Sequence, residues 1–193
     1  METDHVLIVG FGGPTRPEEV APFLARVTEG LNIPPSRLEE VRRHYERIGG
    51  ISPYNSSVAR FRELLEERLA QEGLELPVFF GLRNWHPLLA ETLAEIKKRR
   101  LERGVAVILA SHRCHTSFDR YVDNINEARK QSSALDVEYE CAGPWFDRSE
   151  FIAAQADLLR KTTAPLRSMA ASEGTHPGVI FTAHSIPLEM AKR

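Results

Sequence analysis

The sequence has little cysteine and no long apolar run. Only Cys114 and Cys141 occur among its 193 residues, too few for a disulfide framework, and this favours a reducing compartment. No stretch approaches the roughly 20 apolar residues that a membrane span requires, and the N-terminus lacks the basic and apolar regions of a secretory signal. We therefore expect a cytoplasmic protein without an integral membrane segment.

Neither sign of charge dominates the sequence. Lys and Arg number 25, Asp and Glu number 27, and the formal net charge is -2. No basic field therefore indicates a nucleic acid as partner, and the run KKRR at 97–100 is expected on the solvated face of a helix. Apolar residues make up 42% of the chain, enough for a buried core, and we expect a small-molecule partner.

Five short segments rich in Val, Ile, Leu and Phe predict strands that are buried on both faces. They begin at Val6, Val78, Val105, Val137 and Val179. Amphipathic helical spacing is found from Pro17, from Val58 to Leu69, from Leu88 to Leu101 and from Phe151 to Leu166. Alternating strands and helices predict a Rossmann-like, doubly wound α/β fold with a parallel sheet.

The stretch between the first two predicted strands is longer than a single crossover helix requires. It has room for more than one helix and contains the loop GGISPYN at residues 49–55. We expect this loop to border a ligand crevice, because open α/β sheets bind ligands beyond the carboxyl ends of their strands.

A glycine cluster follows the first strand in VLIVGFGGPT. Gly10 and Gly12 fit the start of a dinucleotide-binding fingerprint, but Thr15 stands at its third glycine and Pro14 has no N–H to offer a pyrophosphate. A tight strand-to-helix turn is the favoured interpretation. A nucleotide site and the close approach of a flat ligand to the backbone are the alternatives.

Two further segments carry candidate metal ligands. His112, Cys114 and His115 follow the third strand, but their spacing matches no common zinc pattern, so a solvated or ligand-facing loop is expected. His184 ends the last predicted strand in VIFTAHSIP, among the small residues Thr182, Ala183 and Ser185. With an unperturbed pKa of about 6.5, this imidazole can accept a proton or bind a divalent metal, whereas a buried structural histidine is the alternative.

Five motifs in combination resemble the ferrochelatases, the enzymes that insert ferrous iron into a porphyrin in haem biosynthesis. They are FGGPTRPEEVAPFL, HYERIGGISPYN, VFFGLRNWHPLLAETLAEI, PWFDRSEFI and FTAHSIP. The sequences of these motifs are most similar to those of the actinobacterial-like branch, which acts on coproporphyrin III rather than protoporphyrin IX. The resemblance implies the chelatase fold, in which two Rossmann-like halves hold the porphyrin in the cleft between them.

The resemblance also implies roles for single residues. His184 matches the catalytic histidine that binds the substrate iron and accepts pyrrole protons. Porphyrin contacts are implied for Phe11, Tyr45, Ser52, Trp145 and Phe146. Phe11 stands where some relatives have an iron-ligating tyrosine, and phenylalanine cannot provide that ligand.

Other positions depart from the pattern of the family. Thr28 and Glu29 replace arginines that hold propionates in some relatives, so the anchor is expected elsewhere. Phe118 stands at the aligned position of one of the four cysteines that bind a [2Fe-2S] cluster in some relatives, although Cys114 is close by. The cluster therefore lacks one expected ligand.

The resemblance implies a first domain over residues 1–143 and the start of a second domain, a helix and a strand, over 144–193. The glutamate that supports the catalytic histidine in the family falls in the second half, so we expect a partial chain without chelatase activity. A non-enzymatic tetrapyrrole or metal carrier and a nucleotide-dependent α/β oxidoreductase are the alternatives.

Overall fold

The fold is built on a four-stranded sheet with the order β2-β1-β3-β4, in which every neighbouring pair is parallel. A computed structural model describes residues 2–182 of the chain. The strands are β1 (His5–Gly10), β2 (Val78–Leu82), β3 (Arg103–Ile108) and β4 (Glu138–Ala142). These four strands and the doubly wound α/β fold confirm the prediction from the sequence.

Six α-helices accompany the sheet within residues 2–182. They are α1 (Val20–Val27), α2 (Pro35–Arg47), α3 (Tyr54–Gln71), α4 (Leu89–Lys98), α5 (Arg120–Gln131) and α6 (Ser149–Ser172). A single 3-10 turn at Pro17–Glu19 precedes α1, so the helix predicted from Pro17 begins in this tighter form. The long connection between β1 and β2 contains α1, α2 and α3.

Alternate residues of β1 face two different cores, as the pleat of a strand requires. Leu7 and Val9 lie in the larger core with α4 and α5, whereas Val6 and Ile8 lie in the smaller core with Val58 of α3. All six residues of β1 are buried. β1 is thus covered on both faces, which explains why its sequence is apolar without alternation. The expectation of burial on both faces is wrong for β4, an edge strand in which Glu138 and Glu140 alternate with less exposed residues and are exposed themselves.

The amino ends of three strands are joined by polar side chains. His5 of β1 is fully buried, and its ring pairs through Nε2 with Tyr139 Oη of β4 at 2.8 Å and through Nδ1 with Asp4 Oδ1 at 2.5 Å. Gly104 of β3 lies between them, and a Cβ at this position would be 2.5 Å from His5 Nε2. The missing side chain of Gly104 therefore allows β1 and β4 to be linked across β3, and we call this group of four residues the clasp.

The C-terminal part of the described chain differs from the expected buried strand. Residues 179–182 have no regular secondary structure, and Ile180 and Phe181 are 88% and 86% exposed. The prediction of a buried strand is therefore wrong for these residues, because no neighbouring strand in the described chain pairs with them. The rest of that segment, including His184, lies outside the described residues.

The long helix α6 covers little of the core. Of its 24 residues only Thr163 and Ala170 are buried, whereas Leu158 and Met169 are 61% and 59% exposed. The basic run at 97–100 is exposed as predicted. No helix in residues 2–182 combines the length and the apolar character that crossing a membrane demands.

Candidate functional site

The loops that follow the four strands lie at one edge of the sheet. β2 lies on one side of β1 and β3 lies on the other. The point at which the strand order reverses is therefore between β1 and β3. A crevice at such a switch point is where open α/β sheets bind ligands. The predicted site residues within the described chain follow β1 and β4 directly or lie in the connection between β1 and β2.

The glycine-rich loop after β1 is held by the segment GGISPYN. The Phe11 N–H donates to Tyr54 Oη at 2.9 Å and the Gly13 N–H donates to Asn55 Oδ1 at 2.9 Å. The Ser52 N–H donates to the Pro14 carbonyl at 2.8 Å. The two segments therefore form one unit, and at least two of the loop's N–H groups are already used inside the protein.

The glycines of this loop make room for protein side chains. A Cβ on Gly10 would be 2.5 Å from Tyr54 Oη, and one on Gly13 would be 2.6 Å from Ser52 Oγ. Gly12 has a φ of +90°, which side-chain-bearing residues rarely adopt. These contacts support the tight turn expected from the sequence and leave Gly10 and Gly13 covered by Tyr54 and Ser52.

Four aromatic rings form a cluster beside this loop. Phe23 of α1 is the buried centre, and its ring meets Phe11 at 6.3 Å, Tyr45 at 5.8 Å and Trp85 at 5.9 Å between centroids, each edge to face. Phe11 is 37% exposed and Tyr45 is half-buried. The cluster thus supports an apolar surface at the carboxyl edge, to which Phe11 presents part of its ring.

A partly buried carboxylate ties this cluster to the first loop. Glu19 Oε2 accepts hydrogen bonds from the Thr15 N–H at 2.8 Å, from Thr15 Oγ1 at 2.9 Å and from Trp85 Nε1 at 2.8 Å, and Oε1 accepts from Arg16 Nε at 2.9 Å. Burial raises the pKa of the Glu19 carboxyl, but these hydrogen bonds outweigh it and lower the pKa to about 2. The anionic carboxylate therefore fixes Trp85 against the loop.

A second aromatic group lies after β3 and β4. Phe146 stacks on His112 with 5.3 Å between centroids and 16° between the ring planes. The Ser111 carbonyl accepts from the N–H groups of Trp145 and Phe146 at 3.2 Å each. Phe146 is 42% exposed, and His112 covers one face of its ring.

The structure groups the predicted site residues in two sets. Phe11, Tyr45 and Ser52 belong to the unit around the first loop, whereas Trp145 and Phe146 belong to the loops after β3 and β4. Within residues 2–182 no hydrogen bond or ring pair joins the two sets directly. His184, the predicted catalytic and iron-binding residue, lies outside the described residues.

The segment SHRCHT does not gather metal ligands. His112 stacks on Phe146, His115 is exposed, and Cys114 Sγ is 3.6 Å from Thr116 Oγ1. In the described part of the chain no three His, Cys, Asp or Glu side chains are close enough together to hold a metal ion. Phe118, at the aligned cluster-ligand position, is buried in the larger core.

Two residues of the site were missed by the sequence analysis. Trp85 and Glu19 are 66 positions apart and meet only through the fold. The signal that would have helped is the motif LRNWHP itself, because a tryptophan just beyond a strand end must bury its ring and also satisfy its N–H.

The sequence of this chain matches one family model and several curated proteins. A sequence model described as Ferrochelatase matches residues 3–193. The chain is 36% identical to the coproporphyrin III ferrochelatase of Mycobacteroides abscessus over 98% of this chain and 54% of that protein. It is 36% identical to the ferrochelatase of Rhodopirellula baltica over 97% of this chain and 52% of that protein. The coproporphyrin III ferrochelatase of Nocardia farcinica is 35% identical over 97% and 53%. The chain spans about half the length of the curated relatives it matches.

Proposed function

Because this chain belongs to the ferrochelatase family, we propose that it binds a porphyrin at the carboxyl edge of its sheet and serves the insertion of ferrous iron in haem biosynthesis. Coproporphyrin III is the proposed porphyrin in preference to protoporphyrin IX, because two of the relatives compared above carry that name. The observation that carries the proposal is the partly exposed ring of Phe11, supported from behind by Phe23. Ferrous iron is a substrate here and not a resident cofactor.

The proposed chemistry requires a base and a surface that holds the ring. Iron enters a porphyrin only when the two pyrrole N–H protons leave, so a group that accepts protons near neutral pH must face the ring centre. We assign this role, and binding of the incoming iron, to His184. Apolar contacts with Phe11 and Phe146 would supply binding energy that favours a distorted ring with accessible nitrogen lone pairs.

Several finer assignments belong to the same proposal. Tyr45 and Ser52 contact the porphyrin beside Phe11, and Trp145 contacts it beside Phe146. Phe11 leaves the iron without a protein ligand from its side, and Phe118 removes one ligand of a [2Fe-2S] cluster. The protein acts in the cytoplasm on a porphyrin and ferrous iron, with no nucleic acid as partner.

We also propose a division into two domains. Residues 1–143 form the first Rossmann-like domain, and 144–193 begin the second. In support, the four paired strands all end before residue 143, and α6 beyond them covers little of the core. We expect the 193-residue chain by itself to bind the porphyrin without inserting iron.

The oxidoreductase and the tetrapyrrole carrier differ in how well they agree with the candidate site. A nucleotide-dependent oxidoreductase is disfavoured, because the N–H groups of Phe11 and Gly13 are used internally and Pro14 has none. A tetrapyrrole carrier requires only the binding surface, so it is distinguished from a chelatase by the iron reaction alone.

One titration tests porphyrin binding, which the proposal shares with the carrier, and separates both from the oxidoreductase. Coproporphyrin III is added to the purified chain without oxygen, and the Soret band is followed before and after ferrous iron is supplied. A Soret shift is expected, with no metalloporphyrin spectrum. Turnover would contradict the expected inactivity of this chain, whereas no shift together with protection from unfolding by NAD would favour the oxidoreductase.

Two phenylalanine variants locate the binding surface. Phe11→Ala is expected to weaken coproporphyrin III binding roughly three- to tenfold, because an aromatic contact contributes about 0.5–1.5 kcal/mol beyond its buried area. Phe61→Ala on α3 is the matched control, since Phe61 is also 37% exposed. Equal affinities of the two variants, measured by porphyrin fluorescence, would refute the assignment of the surface to Phe11.

A further inference from the structure

The first two residues of α3 hold the loop that follows β1. Tyr54 Oη accepts a hydrogen bond from the Phe11 N–H and Asn55 Oδ1 accepts one from the Gly13 N–H, both at 2.9 Å. Tyr54 and Asn55 are 43 and 42 positions away from these partners in the sequence. Two neighbouring side chains of one helix end therefore fix the backbone on both sides of Gly12.

The backbone of this loop needs acceptors from outside the sheet. Strand β1 ends at Gly10, and the positive φ of Gly12 departs from the geometry of a strand. The N–H groups of Phe11 and Gly13 donate to no backbone carbonyl within residues 2–182. Because a backbone N–H that loses its contact with water needs another acceptor, the conformation of the loop depends on the two side chains of α3.

Tyr54 has little freedom to move. Its side chain packs against the smaller core, and its Oη, Cε1 and Cζ atoms are 2.5, 3.2 and 3.3 Å from the place that a Cβ on Gly10 would take. The phenol group thus occupies the space that the missing side chain of Gly10 leaves. Burial raises the pKa of the Tyr54 hydroxyl, so this group stays protonated near neutral pH and does not serve as a base for pyrrole protons.

Asn55 also reaches the loop after β2. Its Nδ2 donates a hydrogen bond to the His86 carbonyl at 3.2 Å, while its Oδ1 is bonded to Gly13. His86 follows Trp85, whose ring packs on Phe23 in the aromatic cluster. One amide side chain therefore sets the spacing between the loop after β1 and the loop after β2.

We propose that Tyr54 and Asn55 are positioning residues for porphyrin binding. Tyr54 acts on the ligand through Phe11, and Asn55 acts through the spacing of the two loops. This inference rests on the proposed function, which assigns the porphyrin surface to Phe11. A binding surface keeps its affinity only when the surrounding contacts hold its side chains to within about 0.5 Å. Because Phe11 is 37% exposed, its ring is held by the backbone hydrogen bond to Tyr54 together with the contact to Phe23.

The first test removes one tyrosine hydroxyl at each edge of the sheet. Tyr54→Phe keeps the ring over Gly10 but leaves the Phe11 N–H without its acceptor, and we expect the Kd for coproporphyrin III to rise about threefold or more. Tyr139→Phe is the matched control, because it removes the hydroxyl that pairs with His5 Nε2 at the amino ends of the strands. We expect the control to lower the Tm and to leave the Kd unchanged. An equal rise in the Kd of both variants would indicate a general loss of stability and would overturn the proposal.

A double-mutant cycle tests whether Tyr54 acts through Phe11. In the Phe11→Ala background the ring that Tyr54 positions is absent, so adding Tyr54→Phe is expected to change the Kd by less than about twofold. The same fold-change in both backgrounds would show that Tyr54 acts independently of Phe11 and would overturn its assignment.

Asn55→Ala tests the second positioning residue. This variant removes both hydrogen bonds of the amide, and we expect the Kd for coproporphyrin III to rise several-fold. Asn126→Ala is the control, because Asn126 is an exposed residue of α5 whose Oδ1 accepts a hydrogen bond from Arg129 Nη1 at 3.3 Å. The control is expected to leave the Kd unchanged, whereas an unchanged Kd in Asn55→Ala would refute the role of Asn55.

Hydrogen exchange at the Phe11 amide tests the positioning without any ligand. We expect faster exchange in Tyr54→Phe than in the original chain, because the N–H loses its acceptor, and an unchanged rate would overturn the proposal. If coproporphyrin III binds the original chain and all these variants equally, the positioning roles fail and the proposed function stands. If it does not bind the original chain but exchange is faster in Tyr54→Phe, the proposed function fails and the positioning of Phe11 by Tyr54 stands.

Discussion

Glu19 shows how one side chain organises the candidate site. Its carboxylate accepts four hydrogen bonds that come from Thr15, Arg16 and Trp85. Loss of the negative charge would weaken all four, because hydrogen bonds to an ionised acceptor are stronger than those to a neutral one. The position of Trp85, and through Phe23 the support of Phe11, therefore depends on the ionisation of Glu19.

This dependence predicts an effect of pH on stability. The pKa of Glu19 is about 2 in the folded chain and 4.5 by its ordinary value, so the unfolded state binds the proton more readily between these values. The stabilisation is complete above about pH 5 and is lost as the pH falls towards 2. Glu19→Gln is expected to lower the free energy of unfolding by about 1–3 kcal/mol at pH 7.

Urea unfolding followed by circular dichroism checks this prediction at pH 7 and at lower pH. The difference between the original chain and Glu19→Gln should become smaller as the pH decreases. Glu18→Gln is the control, because the neighbouring Glu18 is exposed. A difference that stays constant across the pH range would show that Glu19 stabilises the fold without its charge.

At the scale of elements, strands were predicted better than helices. Each of β1 to β4 was located from a short run rich in apolar residues, although only β1 is buried along its whole length. Helix α2 was not located, because Leu38, Val41 and Tyr45 are its main apolar residues and none is buried. Surface ion pairs such as Arg42 with Glu39 at 2.8 Å accompany this helix instead.

The candidate site was predicted in part. Phe11, Tyr45 and Ser52 do lie together, but their proximity could be inferred only through the resemblance to a family. Neither spacing nor composition indicates that Trp85 meets Glu19 or that Asn84 is buried, because these contacts depend on how the loop after β2 packs on the loop after β1. The order of the strands, which sets that packing, was likewise not predicted.

The exposure of α6 leads to a prediction about its attachment. Because Thr163 and Ala170 are its only buried residues, α6 gains little from packing, and its connection to β4 is expected to open more readily than the sheet. Limited trypsin digestion of the native chain should therefore cut first at Arg148 or within α6. The resulting fragment, which retains β1 to β4, should unfold at nearly the Tm of the intact chain.

Mass spectrometry of the digest together with calorimetry of the fragment tests this expectation and the proposed boundary near residue 143. First cleavage between β1 and β4, for instance at Arg47 in α2, would contradict it. A fragment whose Tm is much lower than that of the intact chain would show that α6 is part of the first domain.

At the scale of the whole molecule, net charge and local charge act in opposite directions. The chain has a formal charge of -2, which by itself repels a porphyrin with four propionates. Arg26, Arg83 and Arg120 line one cavity of about 350 Å³ and outnumber its two acidic residues, Glu29 and Glu127. Binding of the porphyrin is therefore expected to depend on the local charge and to be sensitive to salt.

Salt should weaken porphyrin binding without unfolding the protein. Raising NaCl from about 50 to about 500 mM shortens the screening length to several ångströms, and we expect the Kd for coproporphyrin III to rise several-fold. The Tm should change little, because exposed ion pairs contribute little to stability. Fluorescence titrations of the original chain and of Arg83→Gln/Arg120→Gln provide the measurement. An equal salt dependence in both would refute a contribution of Arg83 and Arg120 to this attraction.

The clasp holds the strands together at the amino ends, away from the loops of the candidate site. His5 and Tyr139 fix the relative positions of β1 and β4 across Gly104, at the edge opposite Phe11 and Phe146. The loops that contact the ligand can therefore differ in sequence while the spacing of the strands below them stays constant. The fold is thus suited to loop exchange, since a loop taken from a relative would be presented at the same distance from its partner loops.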